Sequence, residues 1–434
     1  MAAPVRKDAA RDAATEARLA TLKPPKSGFS AHARVDALAR LKAMGLPGRR
    51  DEYWRFTDPT TLNADAPAEA AVFDGGESQI FGALDRVALV FVDGVFDPAA
   101  SDDPSLAGVE ISRLAEAGAA DIHWAKDLYG KLEAKGQVPV ARPFAALNTA
   151  AATDGVLIRV TGKAARPVHL LYRHQSPVSD AVLHHCVKVE PGAEITVLET
   201  GPAAARFNNV MEVDIAEGGR FHHVRAQGRD HERQAITHLF ARLASDALFK
   251  SFTLTANGKL TRNECVIEIV GDNAVAHVAG AALGDGRNGK FHHDDTVFVT
   301  HEGVACESRQ VFKKVLKNGA TGVFQGKILV KPGAQKTDGY QISQALLLDE
   351  DSQFLAKPEL EIYADDVKCS HGSTTGAIDE TALFYLRSRG VPRADATALL
   401  ILSFLADAMA EIEDAALATE IGSHLEGWLA RRKR

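Results

Sequence analysis

The fold class that the sequence predicts is mainly β with helical ends, and three observations predict it. Between residues 156 and 363 more than a dozen short β-rich runs follow one another with almost no helical pattern. Turn residues punctuate them, including Pro191-Gly192, Gly218-Gly219, Asn257-Gly258 and Asp349-Glu350-Asp351. Outside this zone apolar residues recur at helical spacing, before Met44 and again after Asp379.

At the N-terminus, Leu19, Leu22, Val35, Leu38, Leu41 and Met44 form apolar stripes around a Pro24-Pro25 break, which predicts two helices. Val87-Ala88-Leu89-Val90-Phe91-Val92 reads as a strand closed by the Asp93-Gly94 turn, and residues 106–133 read as helical. Residues 1–150 are therefore expected to form an N-terminal helical and mixed region. Residues 151–365 form the β core, from runs at 156–160 and 182–189 through 322–330 and 341–348. Many short strands exclude a helical bundle or a doubly wound fold and leave a sandwich, a barrel or a β-helix. No strict repeat period is visible. Some strands, such as Lys327-Ile328-Leu329-Val330, are apolar on consecutive residues, as strands covered on both faces are.

Residues 366–434 are expected to form a C-terminal helical domain. Asp379 is a good N-cap, Glu380 suits the first turn, Arg387 and Arg389 the last, and Gly390 the C′ position. A second helix should start after Pro392 and run through Ala415. Its run Leu399-Leu400-Ile401-Leu402-Ser403-Phe404-Leu405 is apolar all around, too short to span a bilayer, which takes about 20 residues. Such a segment is either sandwiched between its own domain and the β core or offers an apolar strip to a partner. Leu402 and Phe404 are the candidate partner-binding residues.

The length suits two to three domains of an ordinary soluble protein. Cys186, Cys265, Cys306 and Cys369 are too far apart for a disulfide framework or zinc ribbon, and a reducing cytoplasm is the natural setting. Residues 1–12 lack the apolar core of a secretory signal. The first 55 residues carry 12 Lys/Arg against 6 Asp/Glu. Interleaved Ala and Leu, with no aromatic stacking set, make this a solvated helix face and not a nucleic-acid arm. Gly284-Asp285-Gly286-Arg287-Asn288-Gly289 has dinucleotide-binding spacing but opens no helix, and residues 319–327 lack phosphate-loop spacing. No catalytic residues and no ATP site are identified. The pairs His184-His185, His222-His223 and His292-His293 each offer one ligand inward at most, and with no supporting carboxylate or thiolate at useful spacing they read as surface or satisfied core histidines.

The most informative stretch runs from Lys357 to Glu380. If a strand continues through Cys369-Ser370-His371, its period of two places Cys369 and His371 on one face, where a thiolate and an imidazole can meet one metal or one acceptor sulfur. Asp365 and Asp366 read as solvated turn carboxylates. The order Lys-Pro-Glu-Leu-Glu-Ile-Tyr-Ala-Asp-Asp-Val-Lys-Cys-Ser-His-Gly, followed by Leu383-Phe384-Tyr385-Leu386-Arg387-Ser388-Arg389-Gly390, closely resembles the SufD family of iron-sulfur cluster assembly proteins. Arg50-Asp51-Glu52-Tyr53-Trp54-Arg55-Phe56-Thr57 resembles that family's N-terminal signature. Cys369-Ser370-His371 favours SufD over the sister SufB family.

The resemblance implies a right-handed parallel β-helix and a non-catalytic scaffold subunit. It implies partnership with a SufB-like subunit and a SufC-like ATPase, which docks the C-terminal helices and hydrolyses ATP. A nascent, transient iron-sulfur cluster would form at the heterodimer interface, with Cys369 as thiolate ligand or sulfur acceptor and His371 as nitrogen ligand. A homodimer in isolation is compatible with this picture, and flavin or iron binding by the isolated chain is not legible. The competing class is a stand-alone β-helix carbohydrate-active enzyme. That class needs closely spaced carboxylates in a groove with aromatic platforms, and the β core supplies few aromatics.

Overall fold

In the computed structural model, which describes residues 9–25, 27–72, 79–228, 232–288 and 290–431, the chain winds between two sheets of ten and nine strands. Arg206–Ile215 lies in one sheet, Arg220–Gly228 in the other, and Gln234–Leu243 returns parallel to the first. Repeating this path makes a parallel β-solenoid of about 7 turns. The turn length drifts, which hides the repeat from the sequence: along one sheet the register passes from Gln234 to Leu260, then His292, Thr321 and Gln353.

Each strand turns alternate residues into the solenoid. Val213, Ala241, Ile267, Val299 and Ile328 stack in register through five coils, and Phe221 stacks on Phe249 at 5.6 Å. Each such Val, Ile or Phe taken from water contributes roughly 1.5–3 kcal/mol. The interior also holds paired charges. Glu199 accepts from Tyr172 (2.9 Å) and Arg225, while Lys314 Nζ donates to Asp295 (2.6 Å) and His293 Nδ1 (2.8 Å).

Both outer faces are covered, which accounts for strands that are apolar on consecutive residues. Helices Arg393–Met409 and Ala415–Arg431 lay Ile401, Leu405, Ile421, Leu425 and Trp428 across Val224, Phe252, Leu254, Leu283 and Val315. On the opposite sheet the N-terminal region packs through the buried helix Pro143–Ala151. That helix has no polar stripe, so its amphipathic signal is absent from the sequence.

Several expectations need correction. Residues 106–133 are not one helix. They hold the strand Glu110–Arg113 and the short helices Leu114–Ala117 and Lys131–Lys135, interrupted where Gly108 and Gly130 take left-handed φ of 69° and 71°. The helix after Pro392 stops at Met409, and Asp414 caps a new one by accepting from Ala416 and Leu417 N–H. Strands begin earlier and end later than 151–365. Val87–Val92 pairs with Val168–Arg173, and Lys368–Gly376 pairs with Asp338–Leu347.

The two ends of the solenoid differ. At the N-terminal end both sheets finish in short antiparallel strands: Val95–Phe96 beside Val87–Val92, and Glu110–Arg113 beside Val156–Val160. At the other end Lys368–Gly376 and Gln353–Ile362 are the last strands of their sheets, each pairing on one side only.

Candidate functional site at the open end of the solenoid

Lys368–Gly376 brings Cys369 and His371 to one face of an edge strand paired on one side only, roughly 7 Å apart along the chain at ~3.3 Å per residue. Cys369 is half-buried against Ile328, Val330, Ala334 and Ala364, while His371 and the intervening Ser370 are exposed. In register behind them lie Gly339 and Gln341. Gly339 leaves room for the thiol, since a Cβ there would lie 3.1 Å from Cys369 Sγ. Gln341 is buried and donates to Gln310 Oε1 at 2.8 Å, so a polar column backs the imidazole. Burial raises the Cys369 pKa. The Gly339 N–H offsets part of this and Asp338 adds to it, so the thiol stays protonated until a base takes its proton or a binding metal cation displaces that proton to solvent.

The edge also carries exposed apolar surface, Ile362 and Tyr363, beside free backbone donors and acceptors. Asp365 and Asp366 lie exposed in the preceding turn. Leu402 and Phe404 are half-buried in the core between helices and solenoid, and Lys313 Nζ sits 4.8 Å from the Phe404 ring centre. The exposed apolar residues of the helical domain are instead Phe384, Tyr385 and Leu399.

The two sequence signatures meet in space. Tyr53 donates its hydroxyl to Glu359, Lys357 pairs with Glu52 and lies 4.1 Å from the Tyr53 ring, and Tyr53 C=O accepts from Arg262 (3.0 Å) and Gln325 (3.1 Å). Trp54 lies under the Arg262 guanidinium at 4.2 Å, and Thr57 donates to Asp294 at 2.6 Å. The N-terminal signature thus latches onto the sheet whose last strand is the Lys-Pro-Glu-Leu-Glu-Ile run.

Within this frame the family can be named. The family model for the SUF system FeS cluster assembly SufBD core domain matches residues 172–404, and that for the SufBD protein N-terminal region matches residues 16–168. The chain belongs to the SufBD family. Its relatives include the iron-sulfur cluster assembly protein SufD of Escherichia coli (strain K12), 30% identical over 90% of this chain and 92% of that one. They also include an iron-sulfur cluster assembly SufBD family protein of Synechocystis, 27% identical over 88% of each chain. The SufD protein of Bacillus subtilis is 27% identical over 66% of this chain and 67% of its own length. The SufD reading of the sequence therefore holds, and no described helix of this SufBD-family chain is long and apolar enough to cross a membrane.

The histidine pairs split between the two faces of their strands. His185, His223 and His293 point inward to Tyr172, Ser251 and Lys314, while His184, His222 and His292 point outward to Glu212, Glu413 and Thr57. One of them contradicts the expectation that no thiolate or carboxylate stands near. His184, Cys186 and Glu212 bring nitrogen, sulfur and oxygen within 4.8 Å of one another, fully buried beneath the N-terminal region. The available signal was His-x-Cys at the same spacing as Cys369-x-His371. Glu212 was out of sight because it arrives from the next coil, in register with Cys186.

Proposed function

We propose that this chain is the SufD-like scaffold subunit of a SUF assembly complex, contributing Cys369 and His371 at its interface with a SufB-like subunit, where a nascent iron-sulfur cluster is its cargo. The observation that carries this reading is a thiol and an imidazole on one face of a strand whose outer edge is unpaired. A partner solenoid adding its own edge would cover both side chains and supply further ligands. Thiolate suits iron-sulfur chemistry, and a histidine in place of a cysteine retunes a cluster and eases its release. A SufC-like ATPase would dock on the acidic C-terminal helices through Phe384, Tyr385 and Leu399, with Leu402 and Phe404 beneath. Asp294 faces Arg262 outside the solenoid and Asp295 faces Lys314 inside, so these carboxylates do not share a groove as a glycosidase requires.

The test is iron and acid-labile sulfide in the three-subunit complex after anaerobic assembly. His371→Ala should leave assembly of the subunits intact and lower cluster yield, and Cys369→Ser should lower it less. Normal yield in both variants would overturn the role given to the pair. Leu402→Asp and Phe404→Asp probe docking: lost binding with retained folding places them at the interface, and unfolding places them in the domain core.

A further inference from the structure

We propose that His184, Cys186 and Glu212, from two adjacent coils of the solenoid, form a structural site for a divalent transition-metal cation of the zinc or ferrous class, tying those coils together beneath the N-terminal region. Hydrogen-bond direction carries the argument. The Asn148 amide nitrogen donates to Leu183 C=O (2.9 Å) and Asn208 C=O (3.0 Å), so Asn148 Oδ1 is the atom left to face His184 Nδ1, at 3.1 Å. An amide oxygen only accepts, so Nδ1 carries the ring proton and Nε2 presents a lone pair. That lone pair points at Glu212 Oε2, another acceptor, 2.8 Å away. Two acceptors hold such a contact only with a positive particle between them, either a proton or a metal ion.

The surroundings suit the second. A metal-bound histidine is oriented by a hydrogen bond from its other nitrogen to a carbonyl or carboxylate, the role Asn148 fills here. Glu212 is fixed by Gly130 N–H and by Glu133 N–H at 2.9 Å, and the Tyr129 ring lies 4.2 Å from the His184 ring. Cys186 Sγ completes a nitrogen, sulfur and oxygen set. This mixture suits zinc or ferrous iron and not magnesium or calcium, which take oxygen ligands. Binding also balances in charge. The cation replaces the proton shared by Nε2 and Oε2 and that of the thiol, so two positive charges enter, two protons leave, and the net charge of the buried site is unchanged. With every donor enclosed, the metal enters before the N-terminal region has folded onto the strand Asp180–Val189 and ties that strand to Arg206–Ile215. Cys369 and His371, half-buried and exposed, are separate from it in both place and chemistry.

The full-length chain carrying Cys369→Ser and His371→Ala, so that the open-end pair cannot bind, is produced in zinc-supplemented medium and its metal content measured. Parallel cobalt(II) loading during refolding is followed by the thiolate-to-cobalt charge-transfer band. One equivalent of metal with that band is expected, together with a higher unfolding temperature than the metal-free chain. Cys186→Ser should abolish the band and weaken retention at least tenfold without unfolding the chain, because it keeps size and shape. No bound metal under either loading, or the same content and band in Cys186→Ser, would overturn the site. Either result leaves the reading of the open end untouched.

Discussion

His184-x-Cys186 and Cys369-x-His371 share one spacing and sit on strands of one solenoid, yet their surroundings make them different chemical objects. Around the first pair the Cys186 thiol is pushed far up by burial and by the Glu212 carboxyl, and each ring nitrogen of His184 meets a fixed acceptor. Around the second pair the thiol is half-buried and the imidazole exposed, on a strand with no neighbour on one side. Spacing fixes which side chains share a face. The coil that follows, or the lack of one, decides whether they pack or react.

The largest expected difference is in thiol access. With a small maleimide under native conditions, Cys369 should react orders of magnitude faster than Cys186, which should react only after unfolding. Comparable rates by mass spectrometry would erase the contrast. Stability comes next. His184→Ala removes the Tyr129 stack and leaves buried acceptors unpaired, which should cost about 2–4 kcal/mol in denaturant unfolding. His371→Ala should stay within about 0.5 kcal/mol, as exposed positions do.

Acid sharpens the same contrast. Burial pushes the Glu264 carboxyl up, but the charges of Arg262, His238 and Arg142 outweigh it and hold the pKa at about 2. A carboxyl held below its unfolded value stabilises above about pH 4.5 and loses that contribution as pH falls toward 2, on the order of 3 kcal/mol for this shift. Trp54, stacked on Arg262, should report loosening of the N-terminal latch by fluorescence in that window. A latch unchanged down to pH 2 would count against this role for Glu264. The smallest effect is expected from Gly339→Ala, whose added methyl meets Cys369 Sγ at 3.1 Å. It should cost under about 1 kcal/mol and raise the labelling rate of Cys369 severalfold by pushing the thiol outward.

Much of this was legible in the sequence, for identifiable reasons. Strands such as Val156–Val160 and Glu307–Lys317 announced themselves by β-rich runs between turns, and Asp379 and Gly390 marked the helix Glu380–Ser388. Cys369 and His371 could be paired because one strand carries both. Choosing a solenoid over a sandwich rested on resemblance, because coils of unequal length blur the repeat. Illegible were contacts between coils or between distant segments: Glu212 beside Cys186, and Tyr53 against Glu359, 306 residues apart in the chain. The docking assignment to Leu402 and Phe404 came from a run apolar on all sides, a pattern that does not say which side meets the solenoid.

The solenoid's unequal ends set a limit on growth. A filament needs two adhesive ends on every unit, so that each addition exposes a fresh site for the next. Here the outermost strands at one end are short and antiparallel, two and four residues, while those at the other end are ten and nine residues long and offer most of the unpaired backbone. Joining through the long edges uses the more adhesive end of each participant, whether the second is a copy or a relative. Pairing by this route is therefore expected to favour two-membered assemblies over fibres.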